Sequence, residues 1–115
     1  EHPKFHTITF NNGIEIEARL GTEVRSVYKG RVAYSGWFRG YGKVVIIDHG
    51  NGYYTLFARL SKIVRDVDSI VEKGDVIALV GDTGLVKGPH LYFEVRQKGM
   101  PLDPLNWLAY NTKQK

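Results

Sequence analysis

The sequence predicts an all-β domain built from short antiparallel strands. Thirteen glycines separate short runs that are rich in Val, Ile, Tyr and Phe, and runs of this composition between tight turns are typical of strands. Asn51-Gly52 lies between the apolar runs KVVIIDHG and YYTLFARL. This dipeptide suits a two-residue hairpin turn, because both of its positions need positive φ. We therefore expect two neighbouring strands to meet there.

Eight strands are predicted in chain order from the β-branched and aromatic runs. Their bounds are Thr7–Phe10, Ile14–Glu17, Glu23–Ser26, Gly30–Phe38, Lys43–His49, Tyr53–Leu60, Val76–Val80 and Leu91–Gln97. Val64–Asp75 lacks a sustained helical period and ends in a Lys-Gly-Asp turn, so it predicts a loop with a short strand. A brief turn or helical piece is expected to close the barrel, at Pro101, Pro104, Leu105, Trp107 and Leu108.

The length of the chain limits its domain organisation. With 115 residues, the chain can bury one hydrophobic core but not two. We expect residues 1–110 to form a single domain and residues 111–115 to form a flexible polar tail. Because the chain begins with Glu1 rather than Met, we expect it to be a processed piece of a longer protein.

The composition excludes several functions. The chain has no cysteine, which excludes disulfides and thiolate chemistry. No run approaches the roughly 20 apolar residues that a membrane span needs, so we expect no membrane insertion. The net charge of +4 could suit nucleic acid, but the basic residues are scattered and no aromatic-basic motif accompanies them. An acidic protein surface or an anionic cell-wall polymer is a better match.

Histidines are the candidate residues for metal chemistry. A zinc hydrolase needs about three protein ligands and an open position for water. His2 and His6 lie in the N-terminal segment, where solvated side chains are expected, and His49 is expected to bond to turn backbone. Only His90, in the run GPHLYFEV, has a setting typical of a site. Side chains two apart on a strand share a face, but the residue two positions on is Tyr92.

From Asn11 to about Trp107 the chain resembles the LytM domain of the M23 peptidases. The resemblance rests on the stretches NNGIEIEARLGTEV, GRVAYSGWFRGYGKVVIIDHGNGYYTLFARLS, VEKGDVIALVGDTG and GPHLYFEVRQKGMPLDPLNWL. It implies a barrel-sandwich of short antiparallel strands, the duplicated hybrid motif. Active members of this family are zinc endopeptidases that cut peptidoglycan cross-bridges.

The positions that carry the family's chemistry are altered in this chain. In active members a His-x-Gly-x-Asp segment supplies two zinc ligands, and the matching positions here hold Asn11 and Glu15. A Tyr-Ala-His-Leu-Ser segment supplies a catalytic histidine, and Arg59 stands in its place. The final His-x-His supplies a catalytic histidine and the third ligand, and here it reads His90 and Tyr92. The resemblance therefore leaves His90 as a remnant and implies no metal, no cofactor and no catalytic activity.

Physical chemistry agrees with this expectation. A neutral amide and a phenol are poor zinc ligands beside imidazole. Arg59 adds a fixed positive charge close to the expected position of the cation, and a guanidinium cannot act as a general base near neutral pH.

A groove without zinc remains a concave surface that a partner can occupy. By strand alternation, one face of the last predicted strand carries His90, Tyr92, Glu94 and Arg96. The same argument places Phe57 and Arg59 on a common face. Aromatic residues mixed with arginine are typical of binding hot spots. The expected partner-binding groove consists of Asn12, Glu15, Tyr41, Val44, Phe57, Arg59, His90, Tyr92 and Arg96.

Within the family, the chain is most similar to the EnvC-type murein hydrolase activators, through LYFEVRQKGMPLDPLNWL and GWFRGYGKVVIIDHG. This resemblance implies a catalytically inactive domain in the periplasm. The implied partner is a zinc-dependent peptidoglycan amidase, an N-acetylmuramoyl-L-alanine amidase, whose autoinhibitory helix is captured by the groove. Activation would promote septal cell-wall splitting in cell division. A further N-terminal region, with divisome envelope proteins as its partners, is also implied.

Two other functions remain open. The first is a weak zinc endopeptidase that recruits Glu15, His90 and an N-terminal histidine as ligands. The second is an envelope scaffold module that binds peptidoglycan through its basic and aromatic surface. Zinc binding would favour the first of these, and binding to purified sacculi without an effect on amidases would favour the second.

Overall fold

Antiparallel strands build the fold, and a computed structural model describes them over residues 7–9, 13–83, 88–98 and 100–102. Within these residues the strands are β1 Thr7–Thr9, β2 Gly13–Glu17, β3 Glu23–Arg25, β4 Gly30–Phe38, β5 Gly42–Gly50, β6 Tyr53–Ile63, β7 Ile70–Val71, β8 Val76–Val80, β9 His90–Gln97 and β10 Met100–Leu102. The all-β prediction is confirmed. Nowhere in the described part of the chain is there a helix long and apolar enough to cross a membrane.

The sheet follows the order β1-β2-β9-β6-β5-β4-β7, and every pairing along it is antiparallel. Strand β10 pairs with β9, and β8 pairs with both β3 and β6. Strands β2, β9, β6 and β5 therefore lie side by side. Side chains that project from one face of these four strands come close together although they are far apart in the sequence.

The hairpin between β5 and β6 forms at the predicted dipeptide. Asn51 has a φ of 54° and Gly52 a φ of 79°, which is the backbone that a tight two-residue turn requires. Gly50 and Tyr53 pair on either side of it. This turn fixes the register of the two longest neighbouring strands, so the prediction is confirmed in its detail.

Two hydrophobic clusters lie on opposite faces of the sheet. The larger cluster, which forms the core, has at its centre Ile14, Val45, Ile47, Phe57, Leu60, Phe93 and Val95. The smaller cluster contains Val44, Ala58 and Tyr92, with Tyr34, Tyr41, Ile46 and Leu56 packed against it. Neighbours in sequence, such as Phe57 and Ala58, point to different clusters because successive side chains alternate across a strand.

A bulge in β6 interrupts this alternation. Val45 pairs with Phe57, whereas Lys43 pairs with Leu60, so β6 contains one more residue than β5 across this interval. Arg59 lies in the bulge with a left-handed φ of 67°. Phe57 consequently faces the core, while Arg59 faces the smaller cluster. The prediction that Phe57 and Arg59 share a face is wrong, because it assumed an unbroken strand.

Other element bounds differ from the predictions at strand ends. Strand β6 continues to Ile63, because its last residues pair with β8. The predicted loop 64–75 contains the short strand β7, as expected. Pro101 lies in strand β10, opposite Arg96, and not in a turn. The rest of the predicted closing piece, at 104–108, and the tail 111–115 lie outside the described residues.

Candidate functional site

The smaller cluster forms the floor of the candidate groove. The register places Glu15 of β2 opposite Tyr92 of β9, and Tyr92 opposite Ala58 of β6. Ala58 is followed by Arg59, which the bulge turns toward the same face. The turn at residues 38–41, between β4 and β5, lies at the edge of this floor and carries Tyr41. We call this face the groove face.

Arg59 and Glu15 form a buried ion pair on the groove face. The guanidinium donates from Nη2 to Glu15 Oε2 at 2.6 Å and from Nε to the same oxygen at 3.0 Å. The two side chains are 8% and 2% exposed, respectively. The other carboxylate oxygen, Oε1, is buried and has no hydrogen-bond partner among the described residues. Within the part of the chain that the structure describes, the hydrogen bonds to the buried Glu15 carboxylate therefore come from Arg59.

The same guanidinium is also bonded to the 38–41 turn. Its Nη1 donates to the Gly40 carbonyl oxygen at 2.8 Å, and the backbone N–H of Arg59 donates to the Tyr41 carbonyl oxygen at 3.0 Å. The guanidinium carbon lies 5.3 Å from the centre of the Tyr92 ring, within the range of a cation–π contact. Arg59 thus connects β2, β6, β9 and the turn.

A second buried carboxylate, Glu94, lies two residues beyond Tyr92 on β9. It is fully buried. The Tyr92 hydroxyl donates to its Oε2 at 2.6 Å, the Tyr41 hydroxyl makes a longer contact of 3.4 Å to the same atom, and Arg96 Nε donates to Oε1 at 2.9 Å. Tyr92, Glu94 and Arg96 therefore share one face, as alternation predicts.

Both groove tyrosines are held in the protonated form. Burial raises the pKa of the Tyr92 phenol well above its ordinary value of 10.0, and the hydrogen bond to Glu94 and the negative charge of that carboxylate raise it further. Burial also raises the pKa of Tyr41, with the Glu94 charge acting in the same direction. Both hydroxyls consequently act as hydrogen-bond donors and are unsuited to bind a metal as phenolates.

His90 is placed at the start of β9, beside Glu17 of β2 and Gly81. Its Nδ1 lies 3.1 Å from the carbonyl oxygen of Gly88, which can only accept, so this nitrogen carries a proton when the bond is made. The ring is partly exposed. His90 therefore bonds to the backbone that immediately precedes β9, and solvent can reach it.

Most of the predicted groove residues are buried behind the surface. Val44 is completely buried, Phe57 is 2% exposed in the core against Phe93, and Arg59 and Tyr92 are 7% and 4% exposed. Phe57 is not a groove residue, because it faces the core on the opposite side of the sheet. The predicted positions that retain partial exposure are Tyr41, His90 and Arg96. Asn11 and Asn12 lie outside the described residues.

An aromatic row leads from the floor of the groove to solvent. Tyr92 contacts Tyr41 with ring centres 5.4 Å apart, Tyr41 contacts Phe38 at 5.6 Å, and Phe38 contacts Tyr34 at 6.2 Å. Phe38 is 51% exposed and the neighbouring Trp37 is 61% exposed. Large aromatic side chains with this exposure at the edge of a sheet face are typical of a binding surface.

Sequence reasoning missed two parts of this arrangement. Glu94 was expected only as a member of a face, whereas it is the acceptor that gathers donors from the turn and from β9. The carbonyl of Gly40 carries no side-chain signal, so its contact with Arg59 could not be read from the sequence. Alternation along β9 was the one signal for Glu94.

The zinc that active members of the family bind does not fit the residues that the structure describes. The Glu15 carboxylate is already engaged by a guanidinium at the distance of a charged hydrogen bond. The Tyr92 hydroxyl is a donor to Glu94. No group of three His, Asp or Glu side chains within residues 13–83 and 88–98 could hold a metal ion.

His49 lies in a different part of the fold. Its Nδ1 lies 2.9 Å from the Lys29 carbonyl oxygen, and its Nε2 lies 2.7 Å from Thr55 Oγ1. Because a carbonyl only accepts, Nδ1 carries the proton and Nε2 accepts from the threonine hydroxyl. The expectation that His49 bonds to backbone is confirmed, although the partner is Lys29 and not the hairpin turn. Burial lowers its pKa below 6.5, against the raising effects of the Lys29 carbonyl and Asp48.

Comparison with known proteins adds relatives of two kinds. The chain is 41% identical over 105 residues to the DD-carboxypeptidase/endopeptidase Mpg of Neisseria meningitidis, covering 91% of this chain and 24% of that protein. It is 42% identical over 97 residues to the murein hydrolase activator EnvC of Escherichia coli, covering 84% of this chain and 23% of that protein. The chain thus spans about a quarter of the curated relatives it matches.

A solved structure and a family model agree with these relatives. A putative M23 peptidase from Pseudomonas aeruginosa superposes with a TM-score of 0.83 at 31% identity, over 88% of this chain and 45% of that one. The model of peptidase family M23 matches residues 9–104. The match covers most of the chain and includes the strands of the groove face, and on this basis the chain belongs to peptidase family M23.

Proposed function

We propose that the chain is a catalytically inactive LytM domain that activates a murein hydrolase. The observation that carries this proposal is the buried pair of Arg59 and Glu15. By the family resemblance, these are the positions of a catalytic histidine and a zinc ligand. A guanidinium bonded to the carboxylate replaces the charge of a cation without supplying an open coordination site or a base.

The proposed partner is a zinc-dependent N-acetylmuramoyl-L-alanine amidase. In this proposal the groove captures the amidase's autoinhibitory helix and so uncovers the amidase active site. Capture works as a population shift, because the groove must bind the helix better than the closed amidase does. The name of the EnvC relative, a murein hydrolase activator, supports activation of a murein hydrolase in general. That the hydrolase is an amidase is part of our proposal.

The place of action follows from the proposed substrate of the partner. Murein lies in the cell envelope, so we propose that the domain works in the periplasm during septal splitting. We also propose that residues 1–110 form one domain followed by a short tail. The given sequence spans about a quarter of its curated relatives. In this proposal a further region would connect the domain to divisome envelope proteins.

The contact surface we propose is smaller than the set expected from the sequence and is displaced toward the rim. Tyr41, Arg96 and His90 retain exposure, and the exposed rings of Phe38 and Trp37 extend the surface. An apolar helix would lie against the aromatic row, as helices do in hydrophobic grooves. Val44, Arg59 and Tyr92 support this surface from behind.

A second candidate function is a zinc peptidase. The 41% identity to a DD-carboxypeptidase/endopeptidase favours it. Such an activity would have to displace Arg59 from Glu15 before a metal could use that carboxylate.

Calorimetric titration distinguishes the two functions. The domain is titrated separately with zinc and with a synthetic peptide that corresponds to the regulatory helix of a periplasmic amidase. The activator proposal expects saturable heat with the peptide and none with zinc. Stoichiometric binding of zinc without binding of the peptide would contradict the activator proposal and favour the zinc peptidase. A domain that binds only purified sacculi would be a scaffold module.

A further inference from the structure

Arg59 is placed to control the shape of the groove without taking part in its surface. Its side chain is 8% exposed, so a partner on the groove face meets little of it. Its bonds nevertheless run in two directions, to Glu15 in the floor and to the carbonyl of Gly40 in the rim. The residue that stands in the place of a catalytic histidine therefore links the floor to the rim.

The rim turn presents the exposed part of the aromatic row. The Tyr41 N–H donates to the Phe38 carbonyl at 2.9 Å, which closes the turn, and Gly40 has a φ of 85°. Phe38 and Tyr41, at the two ends of this turn, are the residues that continue the row from Tyr92 outward. The conformation of the turn therefore determines the positions of the Phe38 and Tyr41 rings.

Arg59 holds this turn through two carbonyls. Its Nη1 bonds to Gly40 and its backbone N–H bonds to Tyr41. The planar guanidinium reaches the Gly40 carbonyl with one edge and Glu15 with the other, whereas a lysine ammonium is a single point and cannot span both. Arg59→Lys thus keeps the charge and the backbone bond but breaks the link between floor and rim.

We propose that Arg59 is a positioning residue for partner recognition: it fixes the 38–41 turn so that Phe38 and Tyr41 stand ready to receive the partner. This inference rests on the proposed activator function. A turn released from Gly40 samples other positions, and the apparent affinity falls in proportion to the fraction of molecules whose turn is competent. At saturating domain the partner selects the competent state, so the maximal activation is preserved.

The test compares dose–response curves of amidase activation for the wild-type 115-residue chain and the Arg59→Lys variant. We expect the half-maximal concentration to rise by about tenfold with an unchanged maximal rate, as when a competent state falls to a tenth of the population. Amide exchange at Tyr41 should quicken in the same variant, because opening of the turn becomes easier. Arg25→Lys is the matched control, since the exposed Arg25 also donates to a turn carbonyl, that of Gly74.

A cycle with Tyr41→Ala separates positioning from general destabilisation. If Arg59 acts through the turn, Arg59→Lys adds little to the loss already caused by Tyr41→Ala. Should Arg59→Lys fail to fold, Arg59→Met combined with Glu15→Gln removes both buried charges together and is expected to give the same shift. Fully additive effects, or faster exchange at Tyr41 with an unchanged half-maximal concentration, would overturn the inference. A wild-type domain that activates no amidase would instead refute the proposed function, and this inference with it.

Discussion

Arg59 and Glu15 form an ion pair that is removed from water. One oxygen of the carboxylate has no partner among the described residues. A buried ion pair of this kind adds little net stability over an apolar pair, but the loss of one partner leaves a buried charge uncompensated. Each residue of the pair therefore requires the other.

The first prediction concerns this dependence. Arg59→Met is expected to lower the free energy of unfolding by about 3–5 kcal/mol, because the buried Glu15 carboxylate loses the two hydrogen bonds that the guanidinium donates to it. Urea unfolding followed by tryptophan fluorescence measures the loss. Adding Glu15→Gln should recover part of it, since the amide is neutral. A loss below about 1 kcal/mol for Arg59→Met would mean that water reaches the pair.

A second prediction at this scale concerns His49. Burial lowers the pKa of the folded imidazole below its ordinary value of 6.5. As the pH falls from about 6.5 through the lowered pKa, the unfolded chain takes up a proton before the folded chain does, so the free energy of unfolding decreases. The free energy of unfolding reaches its full value well above pH 6.5, where the imidazole is neutral in both the folded and the unfolded chain. Melting temperatures of the wild type and His49→Asn across pH 5–8 measure it, and equal slopes for the two proteins would contradict it.

At the scale of elements, the alternation of side chains could be predicted along β9 but not across the bulge in β6. Alternation along β9 correctly placed Tyr92, Glu94 and Arg96 on one face, because β9 runs without a bulge there. The same rule failed in β6, where the extra residue at the bulge reverses Arg59 relative to Phe57. The bulge lies where β6 pairs with β5 on one side and approaches β8 on the other, and nothing in the run LFARLS marks it.

Burial was equally hard to predict at individual positions. Charged Glu15, Arg59 and Glu94 are buried together with the hydrophobic residues. The two carboxylates accept hydrogen bonds from donors on β6, β9 and the rim turn. No local pattern encodes the convergence of these donors. The family resemblance pointed to Glu15 and Arg59, and the structure shows that they bond to each other.

A third prediction tests the close approach of the strands near the bulge. An added Cβ at Gly81 would lie 2.6 Å from the Leu60 carbonyl carbon and 2.8 Å from the Arg59 carbonyl oxygen. These atoms are backbone and cannot move aside cheaply, so Gly81→Ala is expected to lower the free energy of unfolding by about 3 kcal/mol.

The control for this variant is Gly21→Ala. Gly21 has a φ of 84° and no atom near an added Cβ, so the strained backbone alone should cost about 1–2 kcal/mol. Both losses are measured by chemical denaturation. If Gly81→Ala costs no more than Gly21→Ala, β6 does not pack against Gly81 as described.

At the scale of the whole molecule, a fourth prediction concerns zinc. A metal bound at a hundred times its dissociation constant stabilises a fold by about 2.7 kcal/mol, which raises the melting temperature of a domain of this size by several degrees. We expect neither zinc nor a chelator to change the melting temperature, because a guanidinium occupies the Glu15 carboxylate. A zinc-dependent rise that a chelator reverses would contradict this expectation.

The floor residues and the rim turn together form the surface that we propose for the partner. The sheet brings Glu15, Arg59 and Tyr92 together from three strands, and the rim turn carries the aromatic row outward. We expect Tyr41→Ala to lower amidase activation by about 30-fold or more while the domain stays folded, since truncating an aromatic hot spot costs about 2 kcal/mol or more and every 1.4 kcal/mol is about tenfold. Phe57→Ala should instead unfold the domain, because Phe57 belongs to the core. Circular dichroism of both variants accompanies the activation assay.

Dye release from labelled peptidoglycan tests the central claim most directly. The domain alone, a periplasmic zinc amidase alone and the two together are compared at equal protein concentrations. The account predicts release from the mixture only, at a rate that increases with the domain until the amidase is saturated. Release by the domain alone, abolished by a chelator, would contradict it and show that the groove still belongs to an enzyme.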